Sequence, residues 1–264
     1  VRPLGSLDRP RARAPFAGPG LLRWPAAGTP SLLFLPGSAC GAWIWEQGFA
    51  AALAEAGCPG LALDFARAVS EQQLAGLGDY VAQARAVLRR IEGPVVLVAH
   101  SLGALVAQHL LLEPAVRGAA LLAPVPPEGL WLANARLPPA APAPWREAAP
   151  PGAATAPELF GAAMPAALGR CYLARMGHES RRALQEAQGP QSVPHGWLHR
   201  RPVLVLGAAQ DRMIPAGAVR RCALWHGRAA EFLPDAGHML MLEPCWPRIV
   251  ARLLGWLRQA GLGG

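Results

Sequence analysis

Ser101, Asp211 and His238 are the residues of this sequence whose types and surroundings fit one reaction together. Ser101 lies in Ala99-His100-Ser101-Leu102-Gly103, directly after an apolar, β-branched run and directly before a helix-forming one. A strand that stops at a serine between small residues and passes straight into a helix is the pattern of a nucleophile elbow, with the serine at the apex of a tight turn. The residues at 99 and 103 must be small for strand and helix to approach closely. Ala99 stands where glycine is usual, a difference of one methyl group. By itself the pentapeptide is also compatible with a serine capping an ordinary helix. A serine hydroxyl is a poor nucleophile until a base takes its proton, and that base needs a third group to hold its tautomer. His238 and Asp211 each follow an apolar run, His238 in Asp235-Ala236-Gly237-His238 and Asp211 shortly before Met213-Ile214-Pro215. Asp235, three residues before His238, and Asp64, which ends an earlier apolar run, are rivals for the acid.

These residues need strands to carry them. Leu21-Leu22-Arg23-Trp24 reads as a short edge strand, Ser31–Leu35 as a buried strand closed by Pro36-Gly37, and Gly60–Asp64 as the next. Between the last two, Trp45, Phe49, Ala52, Leu53 and Ala56 fall at helical spacing, with Gly57 as the stop. Trp43 and Trp45 are expected in the core rather than on a substrate platform. Asp79 is placed to cap a helix whose inner face is Val81, Ala84, Leu88 and Ile91, ending at Gly93-Pro94. The strand before Ser101 comes next, then a helix to about Leu112, then a strand at 118–123. Later strands are expected at 203–206 and 230–233. Glu243-Pro244 is expected to open a last helix with Trp246, Ile249, Val250, Leu253, Leu254 and Leu257 on one stripe. Alternating strands and helices imply one mostly parallel sheet covered on both faces, an α/β fold. Such a sheet gathers its functional groups at the carboxyl ends of its strands. Those ends supply Pro36-Gly37-Ser38, Asp64, His100-Ser101, Asp211 and His238.

The alternation breaks between Pro124 and Pro165, where 11 of the 28 prolines fall. An inserted lid is the preferred reading over a linker, because the two strands and one helix expected after residue 199 are too few to make a free domain. The insertion carries short helices near 158–173 and 180–187. The expected organisation is an irregular arm at 1–19, a core at 20–123 and 200–264, and a Pro-rich lid at 124–199.

Composition narrows the function classes. With 264 residues, 52% hydrophobic and only 16% charged, the chain can bury a large single core. Lysine is absent, and the arginines behind the net charge of +8 are scattered, with no basic stripe, so nucleic acid is not an expected partner. Abundant Ala, Gly, Pro and Arg reflect a GC-rich coding bias. Five dispersed cysteines describe neither a disulfide framework nor a zinc site. His109, His178, His195, His199 and His226 have no partner at useful spacing, and no metal is expected. No signal peptide or membrane span is visible, and a cytoplasmic location is expected.

Taken together, the Ser, Asp, His order and its place on the strand ends resemble a serine α/β-hydrolase of the small esterase, lipase and cofactor-free haloperoxidase type, from about Leu21 to Leu257. The resemblance implies the α/β-hydrolase fold, with Ser101 as nucleophile, His238 as base and Asp211 as its orienting acid. It implies an oxyanion hole from the backbone N–H groups of Ser38 and Leu102, although Pro36 stands where the family commonly has histidine. No organic cofactor is required. His100 is expected to be structural, its side chain directed away from Ser101, and Met213 and Met239 are candidates for lining the acyl pocket. The expected activity is hydrolysis of small to medium hydrophobic carboxylic esters, small molecules being the partners. The same triad also serves perhydrolysis, acyl transfer, carbon–carbon bond hydrolysis and cyanohydrin cleavage, and the fold also hosts non-catalytic binding proteins.

Overall fold

A computed structural model describes residues 20–67, 70, 73–135 and 156–263. The expected N-terminal arm, and the part of the expected lid at 136–155, lie outside the described residues. Among the described residues seven strands form one sheet: β1 (Gly20–Trp24), β2 (Ser31–Leu35), β3 (Gly60–Asp64), β4 (Val95–His100), β5 (Val116–Leu122), β6 (Val203–Ala208) and β7 (Ala230–Leu233). Their spatial order is β1-β3-β2-β4-β5-β6-β7. Only β1 runs antiparallel, pairing with β3 on the edge; every other pair is parallel.

Helices cover the sheet as the alternation required. They are α1 (Phe49–Glu55), α2 (Leu77–Leu88), α3 (Ser101–His109), α9 (Ala216–Trp225) and α10 (Trp246–Gln259), with α4 (Gly129–Ala133), α5 (Ala156–Leu159), α6 (Ala166–Arg175), α7 (Arg181–Glu186) and α8 (Gly196–His199) between β5 and β6. All six residues of β4 are buried, as expected of a central strand covered on both faces. Eight of the nine residues of α3 are buried too, with Ser101 and Gln108 the polar ones among them. α10 instead shows a one-sided stripe, burying Ile249, Val250, Leu253, Trp256 and Leu257, and it tolerates Pro247 because that position in the first turn has no intrahelical acceptor to lose.

The sheet order places the site. The chain leaves β2 for β3 on one side, then crosses to β4 on the other, and continues outward to β7. The loops after β2 and β4 therefore diverge side by side, the topological switch point at which open α/β sheets bind ligands. Leu35 pairs with Ala99, so Pro36-Gly37-Ser38 leaves the sheet beside His100-Ser101.

Several local expectations need correcting. The helical run from Trp45 to Ala56 is split into a 3-10 turn at Ala42–Trp45 and α1, because Gly48 between them takes φ +94°. Asp79 is not the first residue of its helix: it sits inside the first turn of α2, and its carboxylate accepts the Gly76 N–H at 2.8 Å. α2 stops at Leu88, short of Gly93. α3 stops at His109 rather than near Leu112. The last helix starts at Trp246, and Glu243 ends a preceding 3-10 turn instead of opening it.

Candidate active site

Ser101 opens α3 at the end of β4 with φ +52°, the left-handed region that costs an L-residue energy and persists where surrounding structure imposes it. The packing shows what imposes it. A Cβ on Gly103 would lie 2.3 Å from the Pro36 carbonyl oxygen and 2.6 Å from that of Leu35, so glycine alone lets α3 lie this close to the end of β2. A Cβ on Gly37 would lie 3.0 Å from that of Ser101, so the loop after β2 backs directly onto the elbow. Ala99 is fully buried, and its methyl group is accommodated.

His238 reaches Ser101 from the loop after β7. The Ser101 hydroxyl donates to His238 Nε2 at 2.9 Å, and His238 Nδ1–H donates to Asp211 Oδ2 at 2.9 Å. That direction follows from the carboxylate, which accepts only and so fixes the proton on Nδ1. Asp211 is held in turn, since its Oδ1 accepts the N–H groups of Met213 (2.7 Å) and Ile214 (2.9 Å). Ser101 and His238 are almost completely buried. The rivals stand elsewhere: the Asp235 carboxylate is exposed and bonded to Arg248, and Asp64 lies 3.9 Å from Arg67.

The two backbone amides expected to face the serine are Ser38 and Leu102. Leu102 is the second residue of α3, where an N–H has no acceptor within the helix. The Gly37 carbonyl accepts the Cys40 N–H at 3.2 Å. Across the same planar peptide the Ser38 N–H therefore points the opposite way, and it meets no acceptor among the described residues. Ser38 Oγ is buried without a partner among them as well. Met213 and Met239 are both buried beside the acid and the base, in the core cluster.

The ring of His100 lies against that of His238, with centroids 4.7 Å apart, and its Nε2–H donates to the His238 carbonyl at 3.0 Å. Burial, with His238 beside it, holds its pKa well below the ordinary value, so it is neutral. Trp45 is core as expected, whereas Trp43 is half-buried and stacks on Tyr172 of α6, with the Arg175 guanidinium 4.5 Å over its ring. His199 and His226 do have partners: they bond each other at 3.0 Å.

Sequence reasoning assigned no site role to Glu243 or Glu179. The fully buried Glu243 accepts the N–H groups of Gly237 (2.7 Å) and Gly161 (3.1 Å), tying the loop that carries His238 to the segment between β5 and β6. Burial pushes its pKa up in spite of those bonds. Both carboxylates act on residues far away in the chain, and no local pattern marks them. Among the described residues no three His, Cys, Asp or Glu side chains are grouped to hold a metal, and no helix is long and apolar enough to cross a membrane.

A parallel sheet with a serine at the turn after its central strand, an acid after β6 and a histidine after β7 defines a class of protein, and the comparisons agree. The profile of the Alpha/beta hydrolase family matches residues 32–251, and the chain belongs to that family. Solved structures similar to it include a thermophilic esterase from Thermogutta terrifontis, at 18% identity and TM-score 0.68, covering 92% of this chain and 93% of that one. A monoacylglycerol lipase from Paleococcus ferrophilus is 12% identical, with TM-score 0.68 over 92% of this chain and all of that one. BpoC from Mycobacterium tuberculosis H37Rv, a proposed non-heme bromoperoxidase, is 19% identical, with TM-score 0.66 over 93% and 97%. Among curated protein sequences none matches this chain.

Proposed function

We propose that this protein is a serine hydrolase that cleaves carboxylic esters through an acyl-enzyme. The observation that carries the reading is the continuous hydrogen-bonded line from Ser101 Oγ through His238 to Asp211, with 2.9 Å at both steps. Ser101 Oγ attacks the ester carbonyl carbon as its proton passes to His238 Nε2, and Asp211 stabilises the resulting imidazolium. The carbonyl oxygen becomes an oxyanion between the N–H groups of Ser38 and Leu102, and the latter also brings the positive end of the α3 dipole. The carbon–oxygen bond to the alcohol breaks, and His238 returns its proton to the departing alkoxide. Water, deprotonated by His238, then attacks the acyl carbon and frees the acid and Ser101. No step needs a metal or organic cofactor.

Residues 124–199 form the lid in this reading. Trp43, Tyr172 and Phe160 are joined ring to ring between the β2 side of the sheet and that segment, and the substrates in this reading are small to medium hydrophobic esters, with Met213 and Met239 as the candidates for lining the acyl pocket. Turnover of p-nitrophenyl esters of increasing chain length, together with labelling by a fluorophosphonate probe, tests the proposal. The wild type is expected to hydrolyse the shorter esters and label once per chain, and Ser101→Ala to do neither. Asp211→Asn is expected to keep the fold and lose kcat by about 10⁴-fold, because Asn no longer holds the productive tautomer. A folded wild type that neither turns over any ester nor labels overturns the reading.

A further inference from the structure

The loop carrying the Ser38 amide is gripped from a distant part of the chain. Ala39 takes φ +58°, a left-handed conformation that L-residues rarely adopt. Both of its backbone polar groups are captured by 177–179: its N–H donates to Glu179 Oε2 at 3.0 Å, and its carbonyl accepts the Gly177 N–H at 2.8 Å. The next carbonyl, that of Cys40, accepts from Arg67.

Glu179 is itself fixed from three sides. Its Oε1 accepts the Tyr80 hydroxyl at 2.5 Å and the Ser180 N–H at 2.7 Å, and the Arg67 guanidinium lies 3.7 Å away. A carboxylate buried to this depth is stable only when donors and a countercharge surround it, and here all four groups do so. Tyr80 is held by its ring, stacked on Phe65 with centroids 4.7 Å apart. The pieces come from α2, the loop after β3 and the segment between α6 and α7, and they converge on Ala39 and Cys40 in the loop after β2.

We propose that Glu179 is a positioning residue for oxyanion stabilisation. By holding the Ser38–Ala39 peptide it keeps the preceding peptide turned so that the Ser38 N–H faces the reacting carbonyl, with Tyr80 and Arg67 keeping Glu179 in place. The inference rests on the ester-hydrolase reading above. A preorganised amide helps the transition state more than the substrate, because the negative charge it meets develops only there. A plain structural tie between two segments has no such bias. Glu179→Gln separates the two roles: its amide oxygen can keep the Tyr80 and Ser180 donors of Oε1, while its NH₂, in place of Oε2, faces the Ala39 N–H and releases it.

The experiment compares the wild type, Glu179→Gln and Tyr80→Phe by p-nitrophenyl butyrate kinetics and thermal unfolding. It adds the affinity of a trifluoromethyl ketone, whose Ser101 adduct carries an oxyanion, and that of the matching methyl ketone, which binds as a ground-state mimic. Glu179→Gln is expected to lower kcat by roughly 10–100-fold with KM within about twofold, less than the loss of a whole oxyanion donor. Affinity for the trifluoromethyl ketone is expected to weaken by the same factor while the methyl ketone holds. Tyr80→Phe, which keeps the ring stacking, is expected to shift the same two quantities by a smaller factor, and it carries the test if Glu179→Gln does not fold. An unchanged kcat in a folded variant, a change confined to KM, or a lower kcat with undiminished trifluoromethyl ketone affinity overturns the proposal and leaves the hydrolase reading intact. A wild type inert toward both ester and trifluoromethyl ketone overturns the hydrolase reading, and this inference with it.

Discussion

His100 shows how a neighbour of Ser101 can hold His238. Its ring is neutral and buried, its Nε2–H is spent on the His238 carbonyl, and its Nδ1 lies where a side chain on Gly37 would have to go. It fixes the backbone of His238, while leaving that residue's own ring nitrogens to Ser101 and Asp211. Replacing it by leucine removes the donor and leaves a buried carbonyl unpaired, a loss of about 1–3 kcal/mol. His100→Leu is therefore expected to unfold at lower urea concentration and to lose kcat together with stability, measured by urea titration and ester turnover. The grouping of Ser101, His238 and Asp211 was legible in the sequence, because a serine between Ala99 and Gly103, an acid and a histidine each fall just past a readable strand. The contact of the His100 ring with His238 was not, since it depends on a carbonyl 138 positions away that no spacing encodes.

At the scale of elements, every strand was visible because each is a short apolar run bounded by glycine, proline or a polar residue. Boundaries were less so. Gly48 breaks one helix by its backbone conformation, and Asp79 serves its helix from within the first turn, choices made by packing and local hydrogen bonds rather than by composition. Glu243 is the clearest case of an element-level role hidden from the sequence. Beside a proline it reads as a helix opener; in the fold it bridges the His238 loop and the chain between α5 and α6 through two backbone N–H groups. A Cβ on Gly237 would lie 2.5 Å from the Gly161 nitrogen, so the two loops touch at their glycines and the Glu243 carboxylate, coming from the side, satisfies both amides. Glu243→Ala leaves two buried donors and a cavity, and is expected to cost about 2–5 kcal/mol. Urea unfolding checks this as a lower midpoint with an unchanged slope, the mark of lost stability rather than altered compactness.

Across the whole molecule a second polar line runs from α8 through the end of α9 to α3, the helix that Ser101 opens. The Arg201 N–H donates to His199 Nδ1 (2.9 Å), which puts the His199 proton on Nε2, from where it donates to His226 Nδ1 (3.0 Å). The His226 Nε2–H then donates to Gln108 Oε1 (3.1 Å), and the Gln108 amide donates to the carbonyls of Ala104 and Val125. Each ring gives one hydrogen bond and takes one, so each must be neutral, and protonating either removes an acceptor from the line. Burial holds both pKa values down, that of His226 to about 3, and Arg228 and Arg201 add repulsion at His199. In the unfolded chain both histidines titrate near 6.5. Between that pH and the folded value the unfolded state binds protons that the folded state refuses, so acid favours unfolding. Stability is therefore expected to be full above about pH 6.5 and to fall as the pH drops toward about 3, His226 contributing at most about 4–5 kcal/mol of the loss. Urea unfolding at pH 7.5, 5.5 and 4.5 should show the midpoint falling with acid, while His226→Gln, less stable at pH 7.5, should show a shallower fall. Parallel pH dependence in the two proteins would place the acid sensitivity in other groups.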